Sequence, residues 1–196
     1  MTLADTLTLQ NPSLARRREL NLVLIGLGSL VVCVAAQIAI PLPWTPVPIT
    51  GQTLGVLLVG ASLGWRRGAL SLALYLAEGA CGLPVFAGGA AGVVHLMGPT
   101  AGYLWSFPLV AAFVGWLAEH GWDRRLWTAV AAMALGELAV YAFGVPWLAR
   151  FVGWHHAWMA GFWPFMPGAV VKLGVAGAAL PFAWKLAGNA FDGTTS

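Results

Sequence analysis

Residues 20–63 read LNLVLIGLGSLVVCVAAQIAIPLPWTPVPITGQTLGVLLVGASL, and this stretch decides the fold. From Leu20 to Ile40 there is no Asp, Glu, Lys or Arg, and a helix that crosses a bilayer needs about 20 mostly apolar residues. A second apolar run, Ile49–Leu63, follows after the connection Pro41–Pro48, which carries four prolines and no charge. That second run is short, about 20 Å as a helix against a hydrocarbon core of about 30 Å. Non-helical backbone at membrane depth is stable only where it is buried in protein or lines a cavity. The proline-rich connection therefore reads as a wall or lid of a pocket.

Working outward, the same pattern recurs. Further helices are expected at Gly68–Ala80, Thr100–Ala118, Leu126–Leu148 and Pro167–Ala187, which makes an all-α integral membrane protein with six transmembrane helices. Charged residues make up 9% of the 196 residues, against about 25% in soluble domains, which excludes an ordinary soluble enzyme. The third helix is short like the second, and Gly82–Pro99 after it is a second long, uncharged connection except for His95. The two connections, between the first and second helices and between the third and fourth, are expected to cap a substrate pocket on the outer side. Residues 1–19 read as a cytoplasmic amino-terminal segment, 20–188 as the transmembrane binding domain and 189–196 as a cytoplasmic tail.

Eight of the ten Lys and Arg residues fall on one side of this alternation. They are the cluster Arg16, Arg17 and Arg18, the turn at Arg66 and Arg67, the loop ending Arg124-Arg125, and Lys185. By the positive-inside rule that side faces the cytoplasm, so both termini are cytoplasmic and the chain is a multi-pass protein of the cytoplasmic (inner) membrane. Most of the 11 Trp lie near expected helix ends, as interfacial anchors do. The basic residues encode topology rather than a nucleic-acid-binding stripe, and no nucleic acid is expected as a partner.

Glu78, Glu137 and Lys172 lie inside the apolar spans, where an ionisable residue faces the bundle interior and marks a functional site. Lys172, about two turns into the last helix, wants an anion. Either Glu78, expected at similar depth, or a ligand carboxylate would supply it. Glu137 reads first as a satisfied core acid, with a proton relay as the alternative. No metal is expected, since His95, His155 and His156 lack partners at ligand spacing and Cys33 and Cys81 sit in apolar runs. No P-loop is present, so uphill transport would draw on a partner or an ion gradient. Ala35 and Ala39, four apart, offer a small-residue face to another helix.

The strings Ile40-Pro41-Leu42-Pro43, Pro46-Val47-Pro48-Ile49-Thr50-Gly51-Gln52-Thr53-Leu54 and Gly79-Ala80-Cys81-Gly82-Leu83-Pro84-Val85-Phe86-Ala87-Gly88-Gly89 resemble the BioY family. So do Gly98-Pro99-Thr100-Ala101-Gly102-Tyr103, Tyr141-Ala142-Phe143-Gly144-Val145-Pro146-Trp147-Leu148, and Pro164-Phe165-Met166-Pro167-Gly168 followed by Lys172. These are biotin-binding S-components of energy-coupling-factor (ECF) transporters. The resemblance implies high-affinity biotin capture, with uptake completed by a transmembrane coupling protein and cytoplasmic ATP-binding subunits. Biotin is then the transported ligand and no cofactor is required. It also implies that Thr50, Gln52, Phe86, Tyr103 and Lys172 line the substrate site, with Glu78 a further candidate, and that Ala35 and Ala39 belong to a docking face for the coupling protein. Membrane lipid and a homo-oligomer are further expected associations. One departure stands out: where the family pattern has Asp three residues before the lysine, this chain has Ala169. A proton-coupled secondary carrier and a non-transporting assembly subunit are the alternatives.

Overall fold

The structure is a computed structural model that describes residues 2–4 and 14–192, with side chains from 17 to 185 in the main body. Of the expected terminal segments 1–19 and 189–196, residues 14–19 belong to the first long helix and 189–192 to the last, while 1, 5–13 and 193–196 lie outside the described residues. The main body is helical: α1 (Leu14–Gln37), α2 (Gln52–Leu63), α3 (Trp65–Ala80), α4 (Ala101–Glu119), α5 (Leu126–Val152), α6 (Trp154–Gly161) and α7 (Met166–Asp192). A two-stranded ribbon, β1 (Ala39–Ile40) and β2 (Ile49–Thr50), stands between α1 and α2.

Two expectations are corrected. The first helix stops at Gln37 rather than Ile40, because Ala39 pairs with Thr50 and Ile40 with Ile49 in an antiparallel ladder. Pro41 enforces this, since the residue before a proline is pushed from helical to extended backbone. The stretch 149–166 left between the last two expected helices is mostly helix rather than loop: α5 runs on to Val152, Gly153 turns the chain at φ +79°, and α6 begins at once. Only glycine enters that backbone region without strain.

Among the described residues, four helical stretches are long and apolar enough to cross a membrane by themselves: Arg17–Gln37, Ala101–Glu119, Leu126–Val152 and Trp154–Lys185. At 12 residues α2 spans only about 18 Å, and the ribbon with its proline loop occupies the remaining depth. Leu22, Leu30, Val34, Leu109, Leu138, Val170, Val171 and Phe182 point outward and exposed, the surface a lipid solvent requires. The core lies around α4, which packs on α2, α3 and α5, while α7 closes against α5 and α2.

The two ends of the bundle differ. At one end the basic loops meet: the Trp65 amide donates to Glu119 (3.1 Å), Arg67 Nε to Asn21 Oδ1 (2.9 Å), and the Trp184 indole to Asp123 (2.6 Å). At the other end the long connections are tied to helices. Thr45 Oγ1 donates to the Ala160 carbonyl (2.8 Å), the Trp147 indole to Gly98 (3.0 Å) and the Trp105 indole to Leu96 (3.0 Å).

Candidate functional site

Beneath those connections, at the end away from the arginines, lies a cavity of about 350 Å³. The β1–β2 loop contributes Pro41, Leu42, Thr45, Pro46, Val47 and Pro48, and the α3–α4 connection contributes Phe86, Ala87, Ala90, His95 and Thr100. Helices supply Gln52 and Thr53 from α2, Tyr103, Leu104 and Phe107 from α4, Glu137, Val140 and Tyr141 from α5, and Lys172 from α7. Pockets of this kind, mostly apolar with a few placed polar groups, suit small ligands.

Polar groups enter the cavity in two sets. In the first, Lys172 Nζ donates to Thr53 Oγ1 (2.8 Å), Thr53 Oγ1 donates to Glu137 Oε1 (3.3 Å), and the Tyr141 hydroxyl donates to the same oxygen (3.1 Å). Glu137 is 3% exposed, and its Oε2 is buried with no hydrogen-bond partner. Spacing of four on one helix brings Tyr141 over Glu137. In the second set, the Gln52 amide nitrogen donates to the Tyr75 hydroxyl (2.7 Å), Tyr75 donates to the Val85 carbonyl (3.0 Å), and Thr50 Oγ1 donates to Gln52 Oε1 (3.1 Å). This second set pins the proline ribbon to α3 and to the start of the α3–α4 connection.

The walls owe their shape to close packing. Phe86 stands edge-on to Tyr75 (centroids 5.6 Å apart) and lies against Gly79, where a Cβ would run into its ring. Tyr103 lies against Gly144 in the same way, and its hydroxyl donates to the Gly161 carbonyl (2.9 Å), so α4, α5 and α6 meet at one aromatic ring.

Thr50, Gln52, Phe86, Tyr103 and Lys172 therefore all line one cavity. Glu78 does not: it accepts from Ser29 (2.5 Å) and lies 3.8 Å from Cys33 Sγ, both on α1. Of the two anions considered for Lys172, Glu78 is not its partner: Glu78 turns toward α1, and Lys172 reaches Glu137 through Thr53 instead. Ala35 and Ala39 are not one helical face, since Ala39 lies in the ribbon and Ala35 packs on Gly51 and Gly55. Sequence reasoning missed Thr53 and Tyr141 and read Glu137 as a satisfied acid. The Glu137–Tyr141 spacing was the available signal.

Residues 9–189 match the family model described as the BioY family. The chain belongs to the BioY family. It is 40% identical to a protein of Pyrococcus horikoshii described as a probable biotin transporter BioY, over 85% of this chain and 95% of that one. It is 42% identical to the biotin transporter BioY of Rhodobacter capsulatus, over 81% of this chain and 90% of the relative. The fold matches a crystal structure described as the S-component for biotin from an ECF-type ABC transporter, with a TM-score of 0.79 and 22% identity, over 89% of this chain and 95% of that chain. Within this BioY-family chain, Ala169 is buried on α7 one turn before Lys172, so the carboxylate nearest the lysine comes from α5 instead.

Proposed function

We propose that this chain captures biotin from the outer side of the cytoplasmic membrane as the substrate-binding subunit of an ECF-type transporter. The observation that carries this reading is the loop-capped cavity opposite the basic end, apolar in its walls and provided with a half-buried ammonium, Lys172. Family membership and the biotin transporters among its relatives support the ligand. Biotin's bicyclic ring and valeryl arm suit the walls of Phe86, Tyr103 and Phe107, and its polar ends suit Lys172, Gln52 and Thr50. Lys172 has three donors, one of them used on Thr53, which leaves two for a ligand oxygen.

The basic loops support an orientation with both termini in the cytoplasm. Energy would come from a transmembrane coupling protein and ATP-binding subunits. Their contact with α1 near Ala35 and Ala39 is supported by the exposed apolar side of that helix, which includes Leu27, Val31 and Val34, more than by the alanine pair itself. Calorimetric titration of the purified protein against a panel of vitamins tests the reading: biotin alone should bind with high affinity, and no biotin binding would refute it. In liposomes, uptake should require the ATP-binding subunits. Uptake by the isolated chain that collapses with the pH gradient would establish the proton-coupled carrier instead.

A further inference from the structure

Glu137 combines three features found together in no other acid among the described residues. It lines the cavity, it is almost wholly buried, and one of its carboxyl oxygens has no partner. The other oxygen is already satisfied twice, by Tyr141 and Thr53. A buried acceptor left unpaired is costly, and folded proteins leave few of them. Oε2 as it stands has almost no surface open to solvent. The Glu terminal torsion is broad and roughly two-fold, so a modest turn of the carboxyl presents Oε2 to a molecule in the cavity without moving α5.

The neighbouring group defines what that molecule must offer. Lys172 reaches Thr53, which in turn reaches Glu137, so an ammonium donor and a carboxylate acceptor stand one hydroxyl apart. A ligand carboxylate would be attracted by the first and repelled by the second. A neutral group with an N–H beside a C=O satisfies both and leaves the charge pair balanced, which is the cheaper arrangement inside a bilayer. A cyclic urea is such a group.

Resting on the biotin reading above, we propose that Glu137 is a ligand-contacting residue. Its free oxygen accepts a hydrogen bond from one ureido N–H, while Lys172 donates to the ureido carbonyl. The ureido ring then occupies the Lys172–Glu137 end of the cavity, and the valeryl carboxylate points away from Glu137. Glu137 thereby sets specificity: a ring with an acceptor in place of that N–H would confront the carboxylate with a second acceptor.

The test pairs protein variants with ligand analogues. Biotin and its two cyclic carbamates, each with one ureido N–H replaced by oxygen, are titrated calorimetrically into detergent-purified wild type, Glu137→Gln and Glu137→Met. Wild type should bind one carbamate at least tenfold more weakly than biotin. In Glu137→Gln, which keeps an acceptor for Tyr141 and can turn an amide N–H toward the ligand, that ratio should fall below threefold. Glu137→Met should narrow it likewise, and thermal unfolding identifies any variant that fails to fold. An unchanged ratio in a folded variant overturns the assignment of Glu137 alone. No binding of biotin by wild type overturns the biotin reading and this inference with it.

Discussion

Replacing Lys172 by Met removes the one ammonium from the cavity while keeping the length and apolar stem of the side chain. The lysine is held at 2.8 Å by Thr53, and through it faces the buried acid Glu137. Two losses follow. Ligand binding forfeits a charge-assisted hydrogen bond, and such bonds contribute about 1.5–3 kcal/mol. Taking about 2 kcal/mol, and about 1.4 kcal/mol per tenfold, the dissociation constant for biotin should rise by about 30-fold. The fold loses the partner of a buried charge, which in proteins costs about 3–5 kcal/mol. That second loss is separable: Lys172→Met with Glu137→Gln removes both charges and should recover most of the thermal stability lost in the single variant, while binding stays weak. Calorimetry with biotin and thermal unfolding in detergent read the two effects. Biotin affinity within threefold of wild type in folded Lys172→Met would refute the reasoning, because the ammonium would then be structural only.

Three other outcomes are expected. Thr45→Val removes the hydroxyl that donates to Ala160, tying the proline loop to α6, and accepts from the Val47 amide, bracing the loop itself, two bonds of about 1 kcal/mol each. Biotin release followed by stopped-flow Trp fluorescence should accelerate roughly tenfold or more, and an unchanged rate would mean that this loop does not gate exit. Gly144→Ala places a methyl against the Tyr103 ring and should lower stability by about 1–3 kcal/mol; a melting temperature equal to wild type would show that the contact relaxes freely. Asp123, in the loop between α4 and α5, is 1% exposed, and burial holds its carboxyl above the ordinary value of 3.8, opposed chiefly by the Trp184 hydrogen bond. A raised carboxyl contributes stability below pH 3.8 that is lost as pH rises through the folded value. Asp123→Asn, which keeps an acceptor for Trp184, should therefore raise the melting temperature at pH 7, with the gain shrinking toward pH 4. A decrease of equal size at both pH values would contradict this.

The sequence exposed most of the fold because apolar length and charge position are read one residue at a time. Leu20–Ile40 without a charge, and arginines at alternate turns, need no partner to be interpreted. The end of α1 was harder to locate, since Ala39 and Ile40 are apolar whether helical or paired in a ribbon, and only the register with Ile49 and Thr50 separates the two. Helix α6 was hidden because Trp154–Gly161 contains two histidines and five Trp, Met or Ala residues in no clear period, and its start depends on the turn at Gly153. In the site, Thr50, Gln52, Phe86, Tyr103 and Lys172 came from strings local to the chain. The pairing of Lys172 with Glu137 through Thr53 did not, because those residues lie on three helices, and depth along a span leaves open which neighbour a side chain faces.

The short second helix and the buried charges answer to the same constraint. A full-length α2 would fill the outer half of the bundle with helix, whose backbone groups satisfy one another and offer a ligand nothing. Stopping the helix at Gln52 moves the proline ribbon into that depth, and its exposed polar atoms must be satisfied by something other than lipid. The chain meets part of that demand itself, through Gln52–Tyr75–Val85 and Thr45–Ala160. The same shortening brings Thr53, in the first turn of α2, between Lys172 and Glu137, so the hydroxyl that bridges the charges is located by the break that opens the cavity. Lengthening α2 by replacing prolines of the loop would therefore disturb ribbon, bridge and cavity together. Loss of biotin binding with Lys172 and Glu137 both intact would be the expected result, and retained affinity would show that the ribbon is dispensable.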